Sequence, residues 1–134
     1  MRFWRQRTAA QMHELSLCWA LIEQVEAIAR SRGANVETVH IGIGALSGVE
    51  PKLLDEAYPF ACVGTTAAGS KLAIEDIPIR VRCRNCKAES RAPVNRLSCA
   101  LCGTWDTEVI SGDELMLVRV ELSLPDAVEE SRNV

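Results

Sequence analysis

Four cysteines, Cys83, Cys86, Cys99 and Cys102, stand as two C-x-x-C pairs separated by twelve residues. Two such pairs can bring four thiolates to the corners of a tetrahedron. Zn²⁺ takes that geometry, with Zn–S near ~2.3 Å. Gly103 follows the second pair directly and suits a close return of the chain around a metal, because glycine tolerates positive φ. Four thiolates leave no coordination position for water, so the quartet predicts a structural zinc rather than a catalytic one. No nucleophile–base pair stands out elsewhere, and an enzyme is not expected. The competing readings are a pair of disulfides or a redox C-x-x-C. The first eleven residues, MRFWRQRTAAQ, are basic and lack the apolar stretch of a secretory signal. A reducing, cytoplasmic setting is therefore expected, and disulfides are not. A thioredoxin-like site would need one C-x-x-C after a strand, not two facing each other.

A second set of donors is Met12-His13-Glu14, at the start of an amphipathic stretch. A histidine at a helix start is by itself most often an exposed or capping side chain. The chemistry changes if Met12 is the first residue. A free α-amine, the deprotonated amide of His13 and its imidazole can then chelate one metal ion in fused planar rings. The amide nitrogen of Glu14 can complete the plane. Square-planar nitrogen donors favour Ni²⁺ or Cu²⁺, so this site would be distinct from the thiolate site.

The elements that must position these groups follow from periodicity. Leu15, Cys18, Trp19, Ile22, Val25 and Ala29 form one apolar stripe and predict a helix over 13–32, stopping at Gly33. Val39, Ile41 and Ile43 alternate with Thr38, His40 and Gly42, predicting a strand over 36–43. Ser47, Glu50 and Pro51 read as a capping box and first turn of a second helix, with Leu53, Leu54, Ala57, Phe60 and Ala61 buried. Strands are expected over 71–79, where Pro78 marks an edge or an end, and over 114–124. The fold class is thus α+β: two helices packed on a three-stranded sheet, with an inserted zinc-ribbon-like module. The body comprises 12–79 and 107–124, the module 80–106, and residues 1–11 and 125–134 flank them. Cys18 and Cys62 are expected to be buried, inert thiols. His40 is expected to be a surface or helix-covered histidine rather than an accessory nickel donor, and Trp105 is expected between module and body.

The net charge is −3, yet residues 80–96 carry Arg80, Arg82, Arg84, Lys87, Arg91 and Arg96 against Glu89 alone. That cluster supports a rival reading, a zinc-ribbon nucleic-acid-binding or adaptor protein. Against it stand the acidic whole, an aromatic content of 4% and knuckles without interleaved aromatics. No apolar run reaches the ~20 residues of a membrane span.

Met12-His13-Glu14-Leu15-Ser16, the strand carrying Ile41-Gly42-Ile43-Gly44-Ala45-Leu46-Ser47 and the paired C-x-x-C motifs together resemble the HypA/HybF family of nickel-hydrogenase maturation factors. The resemblance covers about residues 12–122. It implies a nickel metallochaperone that delivers Ni²⁺ to the large subunit of a [NiFe] hydrogenase with a HypB-type GTPase as partner. It further implies nickel binding at Met12, His13 and Glu14, and zinc at Cys83, Cys86, Cys99 and Cys102. Neither a monomer nor a homodimer is singled out. The departure is the eleven residues before Met12. With them in place, Met12 offers only a peptide amide and the planar chelate fails. Either Met12 is the true start, the reading favoured because residues 1–11 have no apolar periodicity, or His13 binds nickel more weakly with other donors.

Overall fold

The computed structural model describes residues 14–124 and the backbone of 5–7. In chain order the elements are β1 (Arg5–Arg7), α1 (Glu14–Ser31), β2 (Asn35–Gly44), α2 (Pro51–Cys62), β3 (Lys71–Ile77), β4 (Arg80–Cys83), β5 (Glu89–Arg91), β6 (Thr107–Ser111) and β7 (Glu114–Ser123). Two sheets result. The body sheet has the order β1-β7-β2-β3, and the smaller sheet has the order β5-β4-β6. β2 and β3 run parallel, joined through α2, whereas β7 is antiparallel to β2. The three expected body strands are β2, β3 and β7. β1 adds a fourth by pairing Arg5, Gln6 and Arg7 with Met116, Leu115 and Glu114. Backbone pairing at a sheet edge requires no apolar alternation, so periodicity gave no sign of it.

Both helices lie on one face of the body sheet. Leu17, Cys18, Leu21, Ile22, Val25 and Ala29 of α1 pack with Val39, Ile41 and Ile43 of β2 and Leu115 and Leu117 of β7. Fully burying each of the larger aliphatic side chains contributes about 1.5–3 kcal/mol. The stripe on α1 is rotated by about one residue from the expected one: Leu17 and Leu21 are inside, and Trp19 is 56% exposed. On α2 the buried side is Leu54, Tyr58, Ala61 and Cys62, a spacing of four, three and one. Leu53 and Phe60, expected inside, are exposed because each sits about 100° off that stripe. The cap also differs from the capping box read from sequence. Glu50 is the N-cap and accepts from the Lys52 amide at 3.3 Å, while Ser47 Oγ accepts from the Val49 amide at 3.2 Å in a turn before the helix. Pro51 opens the helix as expected.

The chain leaves the body after β3, builds the smaller sheet, and returns through β6 into β7. β6 pairs with β4, so the module's sheet continues to Ser111. Exit and return meet at three residues. A Cβ placed on Gly44 would lie 2.1 Å from the Gly112 carbonyl oxygen, and one on Gly112 would lie 2.7 Å from Ile79 Cα. The same Gly112 oxygen accepts from the Leu46 amide at 2.7 Å. Backbone sits directly on backbone, and only glycine fits.

This junction yields a stability prediction. Gly112→Ala meets both the Ile79 backbone and a φ of +98°. Its expected cost is about 2–4 kcal/mol in urea denaturation. Gly64→Ala, at φ +77° with open space around it, costs about 1–2 kcal/mol from backbone strain alone. Equal costs at the two positions would contradict the contact.

Candidate metal centre

Cys83 ends β4, Cys86 follows in a turn, and Cys99 and Cys102 occupy the turn before β6. Their four sulfurs lie within 4.8 Å of one another. Cys83 Sγ is 3.5 Å from Cys102 Sγ, and Cys86 Sγ is 3.7 Å from Cys99 Sγ. All six cysteines of the chain are free thiols. A regular tetrahedron with Zn–S of ~2.3 Å has S···S edges of about 3.8 Å. The donor set therefore fits a tetrahedral thiophilic ion in size, number and chemistry.

The two knuckles repeat each other bond for bond. Cys83 Sγ accepts from the amides of Asn85 and Cys86, both at 3.3 Å. Cys99 Sγ accepts from the amides of Leu101 and Cys102, both at 3.4 Å. The Lys87 amide donates to the Cys83 carbonyl at 3.0 Å, and the Gly103 amide to the Cys99 carbonyl at 2.9 Å. The Cys83 and Cys99 amides reach Ala88 and Thr104, again five residues on, both at 2.9 Å. Lys87 and Gly103 thus occupy one structural position, and both have positive φ, 67° and 77°. Glycine was expected to fill that role in the second knuckle; a lysine fills it in the first. Lys87 Nζ donates to the Arg84 carbonyl at 2.9 Å, which offsets part of the backbone strain of about 1–2 kcal/mol.

In each knuckle the first cysteine faces inward and the second faces solvent. The inward sulfurs carry the amide donors, and their acidity follows. The Cys86 amide, helped by that of Asn85 against the cost of burial, lowers the Cys83 thiol. The Cys102 and Leu101 amides bring Cys99 down to about 6. At Cys86 the Ala88 amide also lowers the thiol, but desolvation and the neighbouring sulfurs outweigh it and raise the thiol to about 11. Amide donors stabilise a thiolate because they hydrogen-bond its charged form. A metal cation completes that stabilisation for all four.

The basic residues around the quartet are partly neutralised within the module. Arg82 pairs with Glu89 at 2.9 Å and Glu108 at 3.5 Å, Arg84 with Asp106 at 3.1 Å, and Arg80 with Glu89 at 3.8 Å. Trp105 is 65% exposed and does not wedge the module against the body. The backbone contacts among Gly44, Gly112 and Ile79 make the junction instead, and leave no room for an indole.

Met12 and His13 lie outside the described residues. Glu14 opens α1, and its Oε2 accepts from the Glu50 amide at 3.3 Å, tying the start of α1 to the start of α2. Cys18 is buried, as expected, with Sγ 3.5 Å from the Leu54 carbonyl oxygen. Burial, then the charges of Cys62 and Glu14, push its thiol up to about 12. Burial also raises Cys62. His40 sits on the sheet face away from the helices, where its Nε2 meets Glu121 Oε2, and Arg119 approaches both at 3.2 and 3.1 Å. The hydrogen bond from His40, ahead of that from Arg119, lowers the Glu121 carboxyl.

Fold and site together define a two-part protein: an α+β body and a sheet module closed around a four-cysteine metal centre. The chain matches, over residues 12–122, the family described as hydrogenase/urease nickel incorporation, metallochaperone, hypA. It is 53% identical over 112 residues to the hydrogenase maturation factor HypA of Nitrosospira multiformis, covering 83% of this chain and 97% of that one. It is 40% identical to the HypA of Streptomyces avermitilis over 81% of this chain and 86% of the relative. The solution structure of the Ni metallochaperone HypA from Helicobacter pylori superposes with a TM-score of 0.65 at 24% identity, covering 83% and 97% of the two chains. The chain belongs to the HypA family of hydrogenase nickel-incorporation proteins. No described helix is long and apolar enough to cross a membrane.

Two outcomes follow from the metal centre. Stripping the metal with a chelator should abolish hydrogen-exchange protection at the Cys83, Lys87, Cys99 and Gly103 amides, while the core amides of α1 remain protected. After stripping, iodoacetamide at pH 8 should modify the quartet and spare Cys18 and Cys62. Cys18 and Cys62 stay buried in the body, and a Cys18 thiol raised to about 12 stays protonated at that pH. The quartet's turns open without the metal and free all four of its thiols, Cys86 included, from their folded surroundings. Six adducts from folded protein, counted by mass spectrometry, would contradict the burial of Cys18 and Cys62.

Proposed function

We propose that the chain is a cytoplasmic nickel metallochaperone for [NiFe] hydrogenase. In this reading Ni²⁺ is its cargo, held at Met12, His13 and Glu14. Cys83, Cys86, Cys99 and Cys102 hold a resident structural Zn²⁺. The hydrogenase large subunit receives the nickel, and a HypB-type GTPase assists.

The observation that carries the reading is the closure of the quartet. Four sulfurs at tetrahedral spacing, two of them inward and held by amides, form a site built to retain an ion. Cargo must be released, so it belongs elsewhere. The family match opens at Met12, the first residue of the other donor set. Glu14 is the first residue of α1, and the amides of a first helical turn have no intrahelical acceptor. The Glu14 nitrogen can therefore join a planar nitrogen set without breaking the helix.

What the chain's own groups do is limited and specific. The helix start presents the nitrogens, and the Glu14 side chain anchors that start to α2. Imidazole protonation competes with nickel, so acid promotes release.

Protein begun at Met12 should bind Ni²⁺ tightly by calorimetry and lose that binding on His13→Ala. Its affinity should fall between pH 7 and about pH 5.5, where histidine gains its proton. Equal binding by the full chain and by protein begun at Met12 would contradict the free-amine chelate.

A further inference from the structure

The internal ion pairs of the module leave two arginines over. Arg91 and Arg96 make no ion pair or side-chain hydrogen bond with any described residue, whereas Arg80, Arg82 and Arg84 are all paired. Both arginines line one cavity of about 320 Å³, against Ser98 and the second knuckle at Cys99 and Gly103. Arg91 also lines a second cavity of about 460 Å³ at the junction of module and body. That second cavity is walled by Ile77, Pro78, Ile79 and Val94, with Asp76 beside them. Val94 is 57% exposed. Arg91 therefore stands where an apolar groove runs into a cationic pocket.

We propose that this surface docks a segment of a partner protein in which apolar residues are followed by two carboxylates. The apolar side chains lie along Ile77, Pro78 and Val94, and the carboxylates meet Arg91 and Arg96. Two guanidiniums without an ion-pair partner among the described residues, on a chain of net charge −3, are a local inversion of sign, and guanidinium matches carboxylate in a forked geometry. Asp76 sets the polarity, because it repels a carboxylate at the apolar end. Asp76 also argues against nucleic acid, whose regular phosphates need continuous positive charge. Neither cavity is lined by an aromatic residue on which a base could stack. The inference does not depend on where nickel binds.

The test uses the full chain loaded with zinc and without nickel, so the nickel reading and this one fail separately. The probe is a fluorescein-labelled peptide, Gly-Leu-Val-Pro-Glu-Asp-Gly, read by anisotropy. Saturable binding is expected. Arg91→Glu combined with Arg96→Glu should weaken it about tenfold or more, with zinc content and far-UV circular dichroism unchanged because both side chains are exposed. Val94→Ser should weaken it severalfold, and the remote Arg32→Glu should leave it within about twofold. Four results would overturn the proposal: no saturable binding, indifference to the double charge reversal, equal binding of a peptide with serine for Leu, Val and Pro, or a twelve-nucleotide single strand that binds more tightly at the same arginines.

Discussion

The convergence of four cysteine sulfurs within 4.8 Å of one another is the constraint on which the whole smaller-sheet module depends. The module offers little else to hold it. Its fully buried aliphatic side chain is Val81, with Ile79 at the junction, and the remaining buried positions include Cys83 and Cys99 themselves. Burying a side chain such as Val81 contributes about 1.5–3 kcal/mol. Tetrahedral coordination of zinc in a small module supplies ~10–16 kcal/mol. The sulfurs are thus the module's core, and everything around them serves their placement. The amides of Asn85, Cys86, Leu101 and Cys102 point at the inward pair, and the paired turns at Lys87 and Gly103 set the spacing.

The second constraint is how that module joins the body. Gly44, Gly112 and Ile79 meet backbone to backbone, and the Gly112 carbonyl is shared with Leu46. From Leu46 the chain runs directly to Glu50, whose amide is held by the Glu14 side chain. The start of α1, the start of α2 and the base of the module therefore form one continuous set of contacts at one end of the molecule. The groove beside Ile77 and Val94 opens at the same junction, so a partner seated there touches both parts of the protein.

Much of this was legible in the residues. The C-x-x-C spacing placed the quartet, and alternation placed β2, β3 and β7. Pro78 marked the edge character of β3, and Gly33 marked the end of α1, where backbone bonds close the turn. What failed was finer in angle. Trp19, Leu53 and Phe60 are apolar and near the buried stripes, but one residue of offset turns a side chain by about 100° and puts it in water. Trp105 was misplaced because a large aromatic invites a packing role, while the junction is made by residues with no side chain to notice. β1 and β5 are three residues each and held by backbone pairing, too short to show a hydrophobic period, and in β4 only Val81 and Cys83 alternate inward between Arg80 and Arg82. The structural equivalence of Lys87 and Gly103 could have been read from their common position, four residues after the first cysteine of each pair. A lysine at positive φ carries no such signal on its own.

In the proposed function two chemically different metal sites coexist, sulfur for the resident ion and nitrogen for the cargo. X-ray absorption at the zinc and nickel edges, on protein begun at Met12 and loaded with both metals, addresses it directly. A zinc shell of four sulfurs and a planar nickel shell of nitrogen donors without sulfur are expected. Nickel with thiolate ligands would place the cargo in the quartet and contradict the proposed function.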